Sequence, residues 1–136
     1  MAEYLLRDRL GDDTEWEVAS AGVAAGRGMP ASRPGMEVLA GKGIDMTPHS
    51  SRPLDRELAE DATLIVVMTA SHRLQVLHMF PGAGEKVFVL KSFAPGGGGD
   101  VDDPIGSTIE VYHRICGEIE SALPGLVEFM GRLQNG

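Results

Sequence analysis

Hydrophobic and polar residues along the chain follow two periods, one typical of helices and one typical of strands. Apolar residues in the first ten positions recur at helical spacing, so a helix is predicted from residue 1 without a preceding cap. Further helices are predicted at about 33–41, at about 54–60, over 71–80 and, with the clearest amphipathic stripe, over 107–123. Strands are predicted over Trp16–Val23, 63–68 and 86–90. The last two are continuous apolar runs, which indicates burial on both faces of a parallel sheet.

The order of these elements is helix, strand, helix, strand, helix, strand, helix, and it predicts an open α/β sheet in one domain. A chain of 136 residues is long enough for one buried core. Pro124 is expected to kink or restart the last helix. The order begins out of phase, because the first strand of such domains usually leads into a loop that binds phosphate or a nucleotide. We therefore expect that first strand and loop to be absent.

Composition narrows the classes of function. The net charge of −8 disfavours a nucleic-acid or anionic-membrane partner, although it leaves room for a local phosphate site. The single cysteine, Cys116, cannot form an internal disulfide and supplies no zinc pattern, which favours a reducing, cytoplasmic location. Cys116 is predicted to be a buried core thiol on the apolar stripe of the last helix. Neither a signal peptide nor a membrane-spanning run is expected.

Five separated stretches of the sequence together resemble one family. They are MAEYLLR, VASAGV, GKGIDMTPHSSRPLDRELAEDATLIVVMTASH, KVFVLKSF and GDVDDPIGSTIEVY. They resemble the low-molecular-weight protein tyrosine phosphatases, and among these most closely the bacterial protein arginine phosphatases. The resemblance runs from residue 1 to about Leu123. It implies one phosphatase domain over residues 1–136, with an open parallel sheet and helices on both faces in three α/β/α layers.

The resemblance also implies a particular segment before the first helix. In this family a buried strand leads into a phosphate-binding loop, Cys-x5-Arg-Ser/Thr-Pro, and the helix after that loop often starts Met-Ala-Glu. Met1 to Glu3 match that start, so the domain is expected to lack its first strand and its phosphate loop. Cys116 does not replace the nucleophile, because no arginine follows it at the required spacing.

The function implied by the resemblance is that of a protein phosphatase. Such an enzyme hydrolyses phosphoarginine or phosphotyrosine through a phosphocysteine intermediate, with a phosphorylated protein as its substrate. It needs no metal and no organic cofactor, since the thiolate, an arginine and backbone donors stabilise the charges. We expect a monomer with no nucleic-acid or membrane partner. Residues 1–136 by themselves are expected to be inactive, and the alternative is a truncated pseudophosphatase that acts as a binding or regulatory module.

Three residues match functional positions of the family. Asp103, followed by Pro104, matches the general acid that protonates the leaving oxygen or nitrogen, an effect typically worth about 10²–10⁴ in rate. The alternative is a surface turn after four glycines. Ser20 and His49 match positions that hold the phosphate loop, and the alternative for His49 is an ordinary turn histidine. Ile105 stands where relatives often carry Tyr or Phe, which weakens the case for phosphotyrosine.

Other charged residues are minor candidates. Three arginines, at positions 27, 33 and 52, could approach a phosphate, although arginines in loops mostly face water. Asp100 and Asp102 are expected to be solvated loop carboxylates. We assign none of these residues to the chemistry.

The expected absence of the first strand bears on stability. A strand with about five apolar side chains buried on both faces contributes roughly 8–15 kcal/mol, which matches the whole stability of a domain. Residues 1–136 alone are therefore expected to be unstable or molten. The most economical explanation is an internal methionine codon taken as the start of a normal phosphatase. A pseudophosphatase and an unrelated α/β binding module are the alternatives.

Overall fold

The computed structural model describes residues 1–22 and 28–135, so the predictions for Val23 and Arg27 fall outside it. The helices and strands are arranged along the chain as α1 Ala2–Leu10, α2 Arg33–Ala40, α3 Arg56–Asp61, β1 Ile65–Val67, α4 Ala70–Met79, β2 Val87–Val89 and α5 Ile109–Asn135. Two 3₁₀ helices, Pro81–Lys86 and Leu90–Phe93, flank β2.

The helices lie close to where the hydrophobic period predicts them. Local polar residues fix two of the starts: the Asp55 carboxylate accepts from the Leu58 amide at α3, and the Thr69 hydroxyl accepts from the His72 amide at α4. The predicted restart at Pro124 is wrong, because α5 continues through this residue as one helix. Buried residues on both sides of Pro124 keep the two halves of α5 on the same core.

β1 and β2 form a parallel sheet. Ile65 is opposite Val87, and Val67 is opposite Val89. The prediction that β1 is buried on both faces is met in part: its residues contact a hydrophobic core on each face, but all three are half-buried. In the described part of the chain β1 pairs with β2 alone, which leaves its other edge without a partner strand.

The two faces of β1 pack against different helices. Val66, with its neighbours Leu64 and Met68, lies on the core formed by α1, α2 and α5. Ile65 and Val67 face a second core that includes α4. Because successive side chains of a strand point to opposite faces, the sheet has helices on both sides, and the predicted three-layer α/β architecture is confirmed.

The strand predicted over Trp16–Val23 is not found in its described residues. Residues 16–21 form no strand, and only Gly22 makes an isolated parallel bridge, to Pro53. The carbonyl groups of Val18 and Ser20 accept hydrogen bonds from arginine side chains instead of from the amides of a neighbouring strand. An apolar alternation alone does not make a strand, because a strand also needs a pairing partner.

The main core lies beneath the apolar stripe of α5. This stripe is buried as predicted, through the side chains of Tyr112, Ile115, Cys116, Ile119 and Leu123. Leu5 of α1, together with Val38 and Leu39 of α2, packs against it. The Cys116 side chain is 1% exposed, which confirms the prediction of a core thiol. None of the described helices has the length and apolar character needed to cross a bilayer.

Candidate active site

The Glu3 carboxylate joins α1 to the segment that contains Ser20. Glu3 lies in the first turn of α1, and its side chain is only 9% exposed. The Ser20 hydroxyl donates a hydrogen bond to Glu3 Oε1 at 2.5 Å. Arg7, one turn further along α1, places a guanidinium nitrogen 2.5 Å from Glu3 Oε2. Each carboxylate oxygen therefore has a strong partner, which fixes the orientation of the side chain.

His49 approaches the same carboxylate from another loop. Its Nδ1 lies 3.6 Å from Glu3 Oε1, and its ring meets the edge of the Tyr4 ring with 5.9 Å between centroids. The His49 amide donates to the Met46 carbonyl, which places the residue in a turn. Glu3 thus brings together Ser20 and His49, the two residues predicted to hold the phosphate loop.

Sequence reasoning missed Glu3 as the centre of this group. Two signals point to it: an acidic residue in the first turn of a helix interacts favourably with the helix dipole, and Arg7 follows at the i,i+4 spacing of a helical ion pair. Neither signal shows that Ser20 and His49 converge on the same carboxylate. That convergence depends on tertiary contacts between α1 and two loops.

Of the three arginines considered as candidates, the two that the structure describes have different surroundings. The Arg52 Nε donates to the Ser20 carbonyl at 3.4 Å, so this side chain helps to fix the Ser20 segment. Arg33 is exposed at the first position of α2. The structure thus gives Arg52 a structural contact next to the Glu3 group, and it leaves Arg33 in solvent.

Asp103 lies in the loop between the second 3₁₀ helix and α5. Its carboxylate is exposed, and its Oδ1 accepts from the Ile105 amide at 3.0 Å, which closes a short turn. The Val101 amide, two residues earlier, donates to the Met68 carbonyl at the carboxyl end of β1. The loop therefore carries Asp103 near the edge of the sheet at which ligands of open α/β domains bind.

The structure does not join Asp103 directly to the Glu3 group. Within residues 1–22 and 28–135 no hydrogen bond or ion pair links Asp103 to Ser20, Glu3 or His49. Ile105, two residues after Asp103, has a side chain that is 74% exposed. The site therefore has two described parts. One is the exposed acid Asp103 with an apolar neighbour, and the other is the Glu3 group at the first turn of α1, which is held by hydrogen bonds and ion pairs.

The Cys116 thiol is in the wrong environment for a nucleophile. Burial in the core raises the pKa of this thiol, and the nearby Glu120 carboxylate raises the pKa further. The Sγ atom lies 3.8 Å from Glu120 Oε1, and Lys42 forms an ion pair with Glu120 at 3.1 Å. Because the thiolate is the reactive form, a buried thiol with a raised pKa is inert.

A three-layer domain with an exposed acid beyond a strand end is suited to a small ligand at that edge. The sequence model described as Low molecular weight phosphotyrosine protein phosphatase matches residues 1–135, and the chain belongs to this family. The predicted resemblance is therefore confirmed. The chain is 41% identical to a protein-arginine-phosphatase from Geobacillus stearothermophilus over 112 residues, which cover 82% of this chain and 75% of the relative. It is 38% identical to a protein-arginine-phosphatase from Bacillus subtilis (strain 168) over 111 residues, which cover 82% of this chain and 73% of the relative.

Solved structures agree with this assignment. The YwlE arginine phosphatase from Geobacillus stearothermophilus matches with a TM-score of 0.87 and 38% identity, covering 98% of this chain and 84% of that structure. A low molecular weight protein tyrosine phosphatase from T. tengcongensis matches with a TM-score of 0.85 and 37% identity, covering 93% of this chain and 87% of that structure. The predicted fold class is therefore confirmed.

Proposed function

We propose that the protein hydrolyses phosphorylated proteins through a phosphocysteine, with Asp103 as the general acid. The observation that carries this proposal is the exposed Asp103 carboxylate, held in a turn beyond the end of β1 in a chain of this family. Residues 1–136 contain no Cys-x5-Arg sequence. The activity therefore requires a phosphate loop that residues 1–136 do not contain, and residues 1–136 by themselves are inactive.

Asp103 moves one proton in each half of the proposed reaction. When the thiolate forms its bond to phosphorus, the bond from phosphorus to the leaving group breaks, and Asp103 donates its proton to the departing oxygen or nitrogen. In the second half a water molecule attacks phosphorus. Asp103, now a carboxylate, accepts the proton of that water while the bond between sulfur and phosphorus breaks. The solvent exposure of Asp103 allows it to reach both the leaving group and water.

Ser20 and His49 support the phosphate loop in this proposal, and Glu3 links them. The first-turn amides and the dipole of α1 favour an anion placed just ahead of the helix. Glu3 connects that turn to the Ser20 hydroxyl and approaches the His49 ring. These contacts hold two loops at fixed positions around the start of α1. Fixed surroundings are needed for a phosphate loop, because the chemistry tolerates little displacement.

Phosphoarginine is the proposed substrate group. The relatives at 41% and 38% identity are named protein-arginine-phosphatases, whereas a relative from Ralstonia solanacearum at 35% is named a probable protein-tyrosine-phosphatase. Ile105 offers an exposed aliphatic side chain near Asp103. An aliphatic residue lacks the ring stacking that favours a phosphotyrosine ring, and it still packs against the methylene groups of an arginine side chain.

The proposed enzyme is a cytoplasmic monomer without metal or organic cofactor. The one cysteine within residues 1–136 is buried, which is compatible with a reducing compartment. The acidic net charge supports a protein substrate rather than nucleic acid.

The test uses the protein as its gene encodes it, including any in-frame residues before Met1, which we call the full gene product. It is assayed on two peptides of the same sequence, one with phosphoarginine and one with phosphotyrosine. We expect phosphate release that thiol alkylation abolishes, with a higher kcat/KM for phosphoarginine. Asp103→Asn should lower kcat by about 10²-fold or more, while Asp102→Ala in the same loop should change it by less than about 2-fold. If phosphate is released from neither peptide, the proposal is overturned.

A second candidate is a non-catalytic module that binds phosphorylated protein. It is favoured by the lack of Cys-x5-Arg in residues 1–136 and by the burial of Cys116. Reading the codons upstream of Met1 separates the two candidates: codons for Cys-x5-Arg support the enzyme, and a stop codon supports the module. For the module, calorimetry should detect binding of the phosphoarginine peptide without phosphate release.

A further inference from the structure

The loop that carries Asp103 contains four consecutive glycines ahead of the acid. Gly96–Gly99 all have positive φ angles, between 63° and 93°. Glycine adopts this region without steric cost and with much conformational freedom, so the run by itself does little to fix the residues after Gly99. A fixed position for Asp103 therefore requires an anchor between the glycines and Asp103.

Asp100 and Val101 form such an anchor. Asp100 Oδ1 accepts a hydrogen bond from the Ala70 amide at the start of α4, at 2.9 Å. The next residue, Val101, donates its amide to the Met68 carbonyl at 2.8 Å, and its side chain is only 2% exposed. Two adjacent residues of the loop are thus bonded to the junction of β1 and α4. Asp100 is exposed, in agreement with its predicted place in a solvated loop, but its carboxylate also has a backbone partner across the fold, which the sequence did not indicate.

The hydrogen bond that Asp100 accepts contributes more to the position of the loop than to the stability of α4. Thr69 already caps α4 through the His72 amide, so the helix has its own N-cap without Asp100. On the other side of Asp103, the nearest backbone bond is local, from the Ser107 amide to the Pro104 carbonyl. Asp100 and Val101 therefore make the last hydrogen bonds between this loop and the junction of β1 and α4 before the chain reaches Asp103.

We propose that Asp100 is a positioning residue for the general acid Asp103, an inference that rests on the proposed function. Its carboxylate fixes the loop to the first residue of α4 three residues before the acid. Loss of this bond leaves the segment after Gly99 attached through the Val101 contact alone. Asp103 then spends less time at the leaving group, and the protonation step slows while substrate binding is kept.

The test measures KM and the single-turnover rate of leaving-group release by the full gene product, with two substrates that differ in their leaving group, because the later hydrolysis of the phosphocysteine is common to both. One is the phosphoarginine peptide, whose nitrogen needs a proton to depart, and the other is dinitrophenyl phosphate, whose phenolate departs without one. Asp100→Ala should lower the single-turnover rate of leaving-group release by about 10-fold or more on the peptide, with KM nearly unchanged, and by less than about 2-fold on dinitrophenyl phosphate. Asp100→Asn keeps an oxygen acceptor and should retain this rate within about 3-fold.

Matched variants separate positioning from general damage. Asp102→Ala removes an equal charge from the same loop, at an exposed residue for which the described structure shows no hydrogen bond, and should leave both substrates unaffected. In an Asp103→Asn background, Asp100→Ala should lower the single-turnover rate by less than a further 2-fold or so, because the residue acts through Asp103. If Asp100→Ala does not fold, Asp100→Glu keeps the charge, displaces the acceptor by one methylene, and should show the same dependence on the leaving group.

Two results have different meanings. An active wild type in which Asp100→Ala slows both substrates equally, or slows the Asp103→Asn enzyme as much as the wild type, overturns the positioning role and leaves the proposed function intact. A wild type without alkylation-sensitive phosphate release instead refutes the proposed function, and the positioning role falls with it.

Discussion

Gly125 of α5 occupies a position at which no side chain fits. A Cβ atom built on Gly125 would overlap the carbonyl oxygen of Phe93, and it would lie 3.1 Å from the carbonyl carbon and 3.3 Å from the Phe93 Cβ. The overlapping atom belongs to the backbone and cannot rotate away. Phe93 ends the 3₁₀ helix Leu90–Phe93, which leads into the loop that carries Asp103. We therefore expect Gly125→Ala to separate α5 from this 3₁₀ helix and to destabilise the fold.

The magnitude is set by two opposing effects. Replacing glycine by alanine inside a helix ordinarily stabilises it by about 1 kcal/mol. Forcing an extra carbon into a packed contact costs about 3 kcal/mol where the backbone must shift. The full gene product with Gly125→Ala should therefore be less stable than the wild type by about 2 kcal/mol.

Urea denaturation followed by circular dichroism measures this change. Gly117→Ala is the matched control, since it lies in the same helix and a Cβ there would have no atom within 4 Å. We expect the control to be more stable than the wild type by up to about 1 kcal/mol. A Gly125→Ala protein that is as stable as the wild type, or that changes in step with Gly117→Ala, would refute the packing argument.

Three other parts of the molecule lead to further predictions. Cys116 should resist alkylation in the native full gene product, as followed by peptide mass spectrometry. Because the pKa of the Cys116 thiol is raised in the folded state, its contribution to stability should be lost as the pH rises above about 9. This loss should be absent in Cys116→Ala. Rapid labelling of Cys116 in the native protein would contradict its assignment as a buried, inert thiol. Glu3→Ala should destabilise the protein by about 1–3 kcal/mol in urea, since Ser20 loses its acceptor, whereas Glu110→Ala in the first turn of α5 should cost no more than about 1 kcal/mol. Residues 1–136 expressed alone should melt without a cooperative calorimetric transition, because the outer edge of β1 has no partner strand among the described residues, and a sharp transition would contradict this.

Helices were easier to predict from this sequence than strands, because helical contacts are local. The spacing of apolar residues in α5 identifies the residues that are buried, and α1 begins where the helical spacing of apolar residues begins. The segment Trp16–Val23 has the alternation of a strand, yet its pairing depends on other parts of the chain. The carbonyl groups of Val18 and Ser20 in this segment accept hydrogen bonds from arginine side chains instead, which no local pattern shows.

The residues of the candidate site that could be predicted are those whose type matches a functional position of the family. Asp103, Ser20 and His49 were found through the resemblance to the family, and their proposed roles remain predictions until the variants are assayed. Glu3 and Asp100 were not found, because each acts through a contact with a residue far away in the sequence. Glu3 accepts from Ser20, 17 positions away, and Asp100 accepts from Ala70, 30 positions away. Residues that hold a site in place are therefore harder to predict than those expected to react.

The arginine contacts on residues 18 and 20 have a consequence for behaviour at high concentration. Backbone groups without a partner are a template on which another molecule can add a strand and begin to aggregate. In this protein the Val18 carbonyl is occupied by the Arg7 guanidinium, and the Ser20 carbonyl accepts from Arg52. Two of the acceptors that an incoming strand would need are already taken by charged side chains. Arg7 and Arg52 therefore make this segment a poorer site for the addition of a strand from another molecule.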